Sequence, residues 1–154
     1  MADTQIRFKE MTRKMKQHGL RMTPQRLAIL KILSVSQCHP SVEVIYDTIR
    51  EDFPTISLAT VYKTVSMLKD EGEVLELGFA NASNRYDGNK PYPHPHLICT
   101  KCHCIIDPEI DSMDRLGNEI AKKYGYNVIS QRIDIYGICP RCQAKEEDLE
   151  VERR

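Results

Sequence analysis

The stretch HPHLICTKCHC, residues 94–104, holds three histidines and three cysteines in eleven positions. These donor types suit transition metals or thiol redox chemistry. If HPHLIC is extended, His94, His96 and Ile98 point to one side while Leu97 and Cys99 point to the other. The histidine pair and the cysteine are therefore expected to serve different sites. Cys99-x-x-Cys102 is matched by Cys139-x-x-Cys142, with thirty-six residues between the pairs. Four thiolates gathered by the ends of a small sheet make the closed tetrahedral sulfur shell that Zn²⁺ takes in structural sites. An iron-sulfur or rubredoxin-type iron centre and a thioredoxin-like dithiol are the rival readings; the folded unit between the pairs and the lack of a redox-partner pattern argue against them. Cys104 and Cys38 fall outside the set and read as buried or idle thiols.

The histidine side needs more ligands than His94 and His96. His39, just before a helix, Asp87, after a hairpin, and Asp107, beyond the cysteine turn, are the candidates. Taken alone, a histidine before a helix is more often a cap or a surface residue, and spacing does not join these five positions.

The elements that must carry these groups follow from pattern. Residues 4–18 read as a polar helix ending at Gly19. MTPQRLAILKILSV restarts with Thr23 as N-cap, Pro24 at the first helical position, and Leu27, Leu30 and Ile32/Leu33 on one face. SVEVIYDTIREDF has Ser41 as cap and Val42, Ile45, Tyr46 and Ile49 at helical spacing. A fourth helix begins at Ser57 and closes at Gly72, with Leu58, Val61, Val65 and Leu68 as its apolar stripe and Ala59, Thr60, Lys63, Ser66 and Met67 opposite, Tyr62 on the flank. EVLELGFA and NRYDG read as strands joined through NAS. Helices ending in one with a small, polar outer face, followed by a two-stranded wing, are the parts of a winged helix-turn-helix, and such a face suits the major groove.

GNKPYPHP, with three prolines in eight residues, marks a boundary. Beyond it come a strand through Leu97 and Ile98, a cysteine turn, a strand CIIDPEI, and a helix with Met113, Leu116, Ile120 and Tyr124 in register. A strand NVISQRIDIYG closes the set, with Ile129, Ile133 and Ile135 on one face. The fold class is α+β: a winged-helix DNA-binding domain at 1–88, a hinge at 89–95, and a small α/β dimerisation and metal-binding domain at 96–154. That second unit is too thin to stand alone and is expected to pair with a second copy.

The chain has 154 residues and no net charge, with 22 Lys/Arg against 22 Asp/Glu. The charges are unevenly placed: residues 1–36 carry eight Lys/Arg against Asp3 and Glu10, whereas EEDLEVE is acidic. A basic arm on a neutral protein can hold phosphate, and Lys14 is a candidate contact. No apolar run approaches a membrane span and the polar start lacks a secretion signal, so the protein is expected in the cytoplasm, where six cysteines favour metal or thiol chemistry over disulfides.

GLRMTPQRLAIL, HPSVEVIYDTI, SLATVYKTVSML, NRYDG, HPHLICTKC and YGICPRC, in this order, resemble the ferric uptake regulator (Fur) family of metal-dependent bacterial repressors from about residue 10 to 143. The resemblance implies a homodimer whose winged helices grip an AT-rich palindrome in double-stranded DNA. It implies structural Zn²⁺ on Cys99, Cys102, Cys139 and Cys142, and a regulatory divalent metal on His39, Asp87, His94, His96 and Asp107. The match is best to the peroxide-sensing branch, PerR. The final carboxylate is Asp107, where iron-sensing members usually have Glu, and Pro93 and Pro95 flank His94 where those members often carry ligands of a further site. The oxygen-rich shell suits Fe²⁺ or Mn²⁺ better than a zinc sensor.

By this resemblance His39 comes from the DNA-reading half and the other ligands from the hinge and second half, so metal orients the domains, and peroxide reacting at Fe²⁺ oxidises His39 or His94. Arg21 is placed for the minor groove, and Ala59, Thr60, Tyr62 and Lys63 for the major groove. An iron-responsive regulator is the alternative. A non-haem iron oxygenase using His94, His96 and an aspartate would be the enzymatic reading, but the chain has no co-substrate pocket pattern and is expected not to be an enzyme.

Overall fold

A computed structural model describes residues 2–79, 82–109 and 113–151. The chain forms two compact units, Met1–Tyr92 and Pro93–Arg154. The first contains α1 (Ala2–Gln17), α2 (Pro24–Val35), α3 (Val42–Ile49), α4 (Leu58–Asp70) and the hairpin β1 (Leu75–Phe79) and β2 (Ala82–Asp87). Three of these helices start on hydroxyl caps: Thr23, Ser41 and Ser57 accept from the amides of Arg26, Val44 and Thr60, each contact contributing about 1 kcal/mol. Their inward faces make one core, with Met11 and Met15 from α1, Ile29, Leu30 and Leu33 from α2, Val42, Ile45 and Ile49 from α3, and Val61, Val65 and Leu68 from α4. The first helix is thus less polar than its composition implies, because two methionines a turn apart reach the core.

Two details of α4 and the wing differ from the expected pattern. Thr64, not Leu58, completes the buried stripe of α4, with its Oγ1 donating to the carbonyl of Thr60 at 2.8 Å; the intrahelical bond satisfies the hydroxyl and makes burial inexpensive. Met67, expected on the outer face, packs partly against the core. In the wing, Phe79 pairs with Ala82, so Ala82 and Ser83 belong to β2 rather than to the connection, which lies outside the described residues.

A buried carboxylate ties α1 to the wing. Gly72, at φ +68°, turns the chain out of α4 and sets Glu73 in the core at 0% exposure. Arg7 reaches its Oε2 at 2.7 Å and its carbonyl at 2.7 Å, and Lys14 reaches Oε1 at 2.5 Å. Arg7 also donates to the carbonyl of Gly88 at 2.8 Å. The Lys14 ammonium, itself half exposed, pairs with the buried Glu73 carboxylate from the surface. Gly88 has no room for a side chain, since a Cβ there would stand 2.8 Å from that of Leu33.

The second unit is a three-stranded sheet in the order β4-β3-β5, from β3 (Pro95–Cys99), β4 (Ile105–Ile106) and β5 (Ile133–Gly137), with α5 (Met113–Tyr124) and α6 (Pro140–Val151). β3 runs antiparallel to β4 and parallel to β5. Both outer strands are shorter than their apolar patterns suggested. β4 stops at Ile106 before Pro108, and Ile110 of that stretch lies outside the described residues. β5 begins only at Ile133, leaving Ile129 at 96% exposure, because β3 offers no partners beyond Pro95. α6 runs from Pro140 into the acidic stretch, with Pro140 at the first position, where its missing N–H costs nothing. Among the described residues, no helix is long and apolar enough to cross a membrane.

Burial pushes the Glu73 carboxyl up, but the bonds from Lys14 and Arg7 outweigh this and hold it below the ordinary 4.5. A depressed folded pKa contributes stability that is present above the ordinary carboxylate value and lost as pH falls through the folded value. Glu73→Ala is expected to cost about 3 kcal/mol in urea unfolding at pH 7. It should also flatten the decline in stability below pH 4.5.

Candidate metal centres

The first unit builds a histidine–carboxylate pair: Asp87 ends β2 and stands with His39 in the first unit, which corrects its expected place with the ligands of the hinge and second half. The amide of Tyr86 donates to the carbonyl of Pro40 at 3.0 Å, and Arg85 Nη1 reaches the carbonyl of His39 at 3.4 Å. These bonds hold the end of β2 against the entry to α3, so that Asp87 Oδ2 faces His39 Nε2 at 3.4 Å, both side chains 1% exposed. The other oxygen of Asp87 accepts from the amides of Asn89 and Lys90 at 2.8 and 3.0 Å, which locks the carboxylate's direction. His39 sits at φ +47°, a region that costs a non-glycine residue of the order of 1 kcal/mol and persists only where the surroundings over-determine it.

The second unit gathers two more histidines and two aspartates at β3. One donor atom each from His94, His96 and Asp107 lie within 4.8 Å of one another. Asp107 divides its oxygens between them, Oδ2 toward His94 Nε2 at 3.5 Å and Oδ1 toward His96 Nε2 at 4.0 Å. The two rings are tilted by 52° with centroids 4.4 Å apart. Two imidazoles and a carboxylate, converging and largely buried, are a donor set for a divalent transition metal.

Sequence reasoning did not single out Asp134. It pairs with His96 across β3 and β5 and brings Oδ1 to 3.5 Å from His96 Nδ1, while Arg132 grips its Oδ2 at 2.6 and 2.8 Å. The arrangement turns Nε2 of His96 toward Asp107 and sets Asp134 behind the ring, where an outer-shell partner of a ligating histidine stands. In RIDIYG an acidic residue alternates with two isoleucines, which places Asp134 on the strand face opposite theirs.

The thiols collect at the opposite end of the same strand. Sγ atoms of Cys99, Cys102, Cys104 and Cys139 lie within 4.8 Å of one another. Cys102 and Cys139 are 3.6 Å apart, close to the edge of about 3.8 Å that a tetrahedron with 2.3 Å Zn–S bonds requires. The amide of Cys139 points at Cys99 Sγ from 3.3 Å. Backbone amides of Cys102 and Cys139 hold the Cys99 thiol down to about 5. Cys142 borders the group, hydrogen-bonded first to Cys139. Cys104, expected to be an idle thiol, instead lies within the cluster, because β4 pairs back on β3 immediately after it. Cys38 is exposed in the other unit.

The candidate DNA-facing residues are open to solvent. Ala59, Thr60, Tyr62 and Lys63 lie on the exposed side of α4, and Arg21 is exposed before α2, its carbonyl accepting from Arg26 Nη1 at 2.7 Å. The Tyr62 hydroxyl donates to Glu43 Oε1 at 2.8 Å, a bond that raises the tyrosine pKa.

The model of the family described as the ferric uptake regulator family matches residues 17–136. The chain belongs to the ferric uptake regulator family. Fur-family proteins are metal-dependent DNA-binding regulators of transcription, not enzymes, and they dimerise and bind operator DNA. Within the family this chain sides with the PerR branch. It is 40% identical over 134 residues to the peroxide-responsive repressor PerR of Staphylococcus saprophyticus, a match covering 85% of this chain and 88% of that protein. The Staphylococcus aureus PerR matches to the same extent. Among solved structures, the Helicobacter pylori ferric uptake regulator overlays with a TM-score of 0.77 at 28% identity, covering 91% of this chain and 93% of that one. The Campylobacter jejuni peroxide stress regulator does so at 0.69 and 35%, covering 85% and 98%.

Outer-shell partners of ligating histidines typically contribute 10–100-fold in metal affinity. Asp134→Ala should therefore weaken Mn²⁺ binding by about that factor in calorimetric titration. The metal content of the thiol cluster should stay unchanged.

Proposed function

We propose that this protein is a metal-dependent repressor that senses hydrogen peroxide. In this reading one regulatory Fe²⁺ or Mn²⁺ ion is shared by His39, Asp87, His94, His96 and Asp107, and Zn²⁺ at the thiol cluster has a structural role. The observation that carries it is the division of buried donors: His39 and Asp87 make one locked pair in the first unit, and His94, His96 and Asp107 make a trio in the second. Neither set fills a six-coordinate shell alone, and together they leave one position for a small oxidant. Two carboxylates balance the charge of a divalent ion.

Occupancy then couples the two units. If metal favours the arrangement that fits DNA, DNA favours metal by the same factor. Bound Fe²⁺ would supply the redox chemistry that opens the peroxide O–O bond, with the imidazole as the net two-electron donor. One peroxide oxygen is then added to an imidazole carbon of His39 or His94, and the other leaves as water. The oxidised ring loses its ligand geometry, and the coupling with it.

The DNA face is α4 and the segment before α2. Ala59, Thr60, Tyr62 and Lys63 meet the major groove of an AT-rich palindrome and Arg21 the minor groove, with Tyr62 oriented by Glu43. The bare apolar row Leu97, Ile106 and Ile135, in register across the three strands and each at least 40% exposed, supports a homodimer that covers this face. The protein acts in the cytoplasm, beside the DNA it reads.

An iron-responsive regulator is the second reading, favoured by the overlay on the Helicobacter pylori protein. Both are tested by measuring affinity of the apo, Mn²⁺ and Fe²⁺ forms for a duplex selected from AT-rich palindromes, before and after brief peroxide. The Mn²⁺ form should keep its affinity. The Fe²⁺ form should lose it, with one oxygen added to His39 or His94 by mass spectrometry; an Fe²⁺ form that stays bound and unmodified favours iron sensing. Lys63→Ala should relax preference at one base pair by about 1–3 kcal/mol, read by binding to single-base operator variants.

A further inference from the structure

Five thiols stand where a tetrahedral metal takes four. Cys99, Cys102 and Cys139 are common to any set. Cys104 completes a group whose sulfurs lie within 4.8 Å of one another, and Cys142 lies one helical turn beyond Cys139, its amide donating to the carbonyl of Cys139 at 2.9 Å. The turn that carries Cys104 is tight. His103, at φ +57°, donates its amide to the carbonyl of Cys99, and the amide of Cys99 donates to the carbonyl of Cys104, both at 3.0 Å. Closing the turn this way brings the Cys104 side chain back to Cys99 and Cys102, whereas Cys142 is carried by the first turn of α6. A tetrahedral shell with edges of about 3.8 Å has no place for a fifth sulfur, so one of the two must stand aside.

We propose that Cys104 and Cys142 are interchangeable ligands for the fourth corner of the thiolate zinc site. The proposal rests on the reading of this cluster as a metal centre. A cavity of about 170 Å³, lined by Cys99, Cys104, Cys139, Leu97, Ile106 and Ile138, gives the Cys104 thiol space to turn toward the ion or away from it. The site thereby keeps a full sulfur shell when either thiol is withdrawn, and the displaced one stays beside the metal as a ready replacement.

The test uses the full-length protein, treated with a chelator that strips the histidine–carboxylate site and leaves the thiolate site loaded. Zinc per chain is then measured in wild type, Cys104→Ala, Cys142→Ala, the double variant and Cys99→Ala. Each single variant of the interchangeable pair is expected to retain its zinc, while the double variant and Cys99→Ala lose it. Loss from either Cys104→Ala or Cys142→Ala alone overturns the proposal, as does a double variant that holds zinc like wild type. A wild type with no tightly held zinc overturns the metal reading beneath it instead, a distinct result. Cobalt substitution guards against misfolded variants. Cys142→Ala should show the thiolate-to-cobalt charge-transfer band at wild-type intensity per metal, and a band reduced to about three quarters, three sulfurs in place of four, overturns interchange.

Discussion

A slip of β3 by one residue would exchange the contents of both metal clusters. His96 and Cys99 are an odd number of residues apart, so they face opposite sides of the strand. Their neighbours are set by the same ladder. Register places His96 against Asp134 and Cys99 against Gly137, two residues before Cys139, and the antiparallel pairing with β4 returns the chain so that Cys104 and Asp107 flank it on either side. Nitrogen and oxygen donors thus gather in one place and soft sulfur in another, two candidate shells that suit different ions. The sheet is only three strands wide, and its pairing does more for the sites than for burial, since among the described residues its strands hide few apolar side chains, Pro95, Ile98, Cys99 and Ile105.

The first unit solves a related problem by other means. A histidine before a helix and an aspartate at the end of a strand face each other only if the wing is anchored to the helical core. That anchor is electrostatic as much as hydrophobic. Glu73, fully buried, is held by Arg7 and Lys14, and Arg7 continues to Gly88, the residue after Asp87. Buried ion pairs seldom add net stability over an apolar replacement, but they are specific in where they allow a chain to pass. Here the specificity lands one residue from a candidate ligand, and the left-handed backbone of His39 completes the approach from the other side.

Surface and site are also divided between the units. The exposed apolar groups cluster in the second unit, on one sheet face and along α5 at Leu116, Ile120 and Tyr124, whereas the first unit turns small and polar groups of α4 outward. In a dimeric DNA-binding family this is the expected allocation: the thin unit gains its missing core from a second copy, and the well-packed one is free to present a helix to DNA.

Much of this was legible in the one-dimensional pattern, because local rules act over a few residues. Helix starts at Thr23, Ser41 and Ser57, the stop at Gly72, the proline boundary near residue 93 and the separation of histidines from cysteines all follow from capping, backbone freedom and alternation. What lay beyond it depended on partners distant in the chain. That Lys14 pairs with a buried Glu73, that Thr64 and not Leu58 is buried, that β5 starts at Ile133, and that Asp134 and Cys104 stand beside the candidate metal ligands are consequences of which strand pairs with which and where a buried charge finds its counterion. Such choices are made by energies summed over the packed structure, and no window of sequence contains both members of the pair.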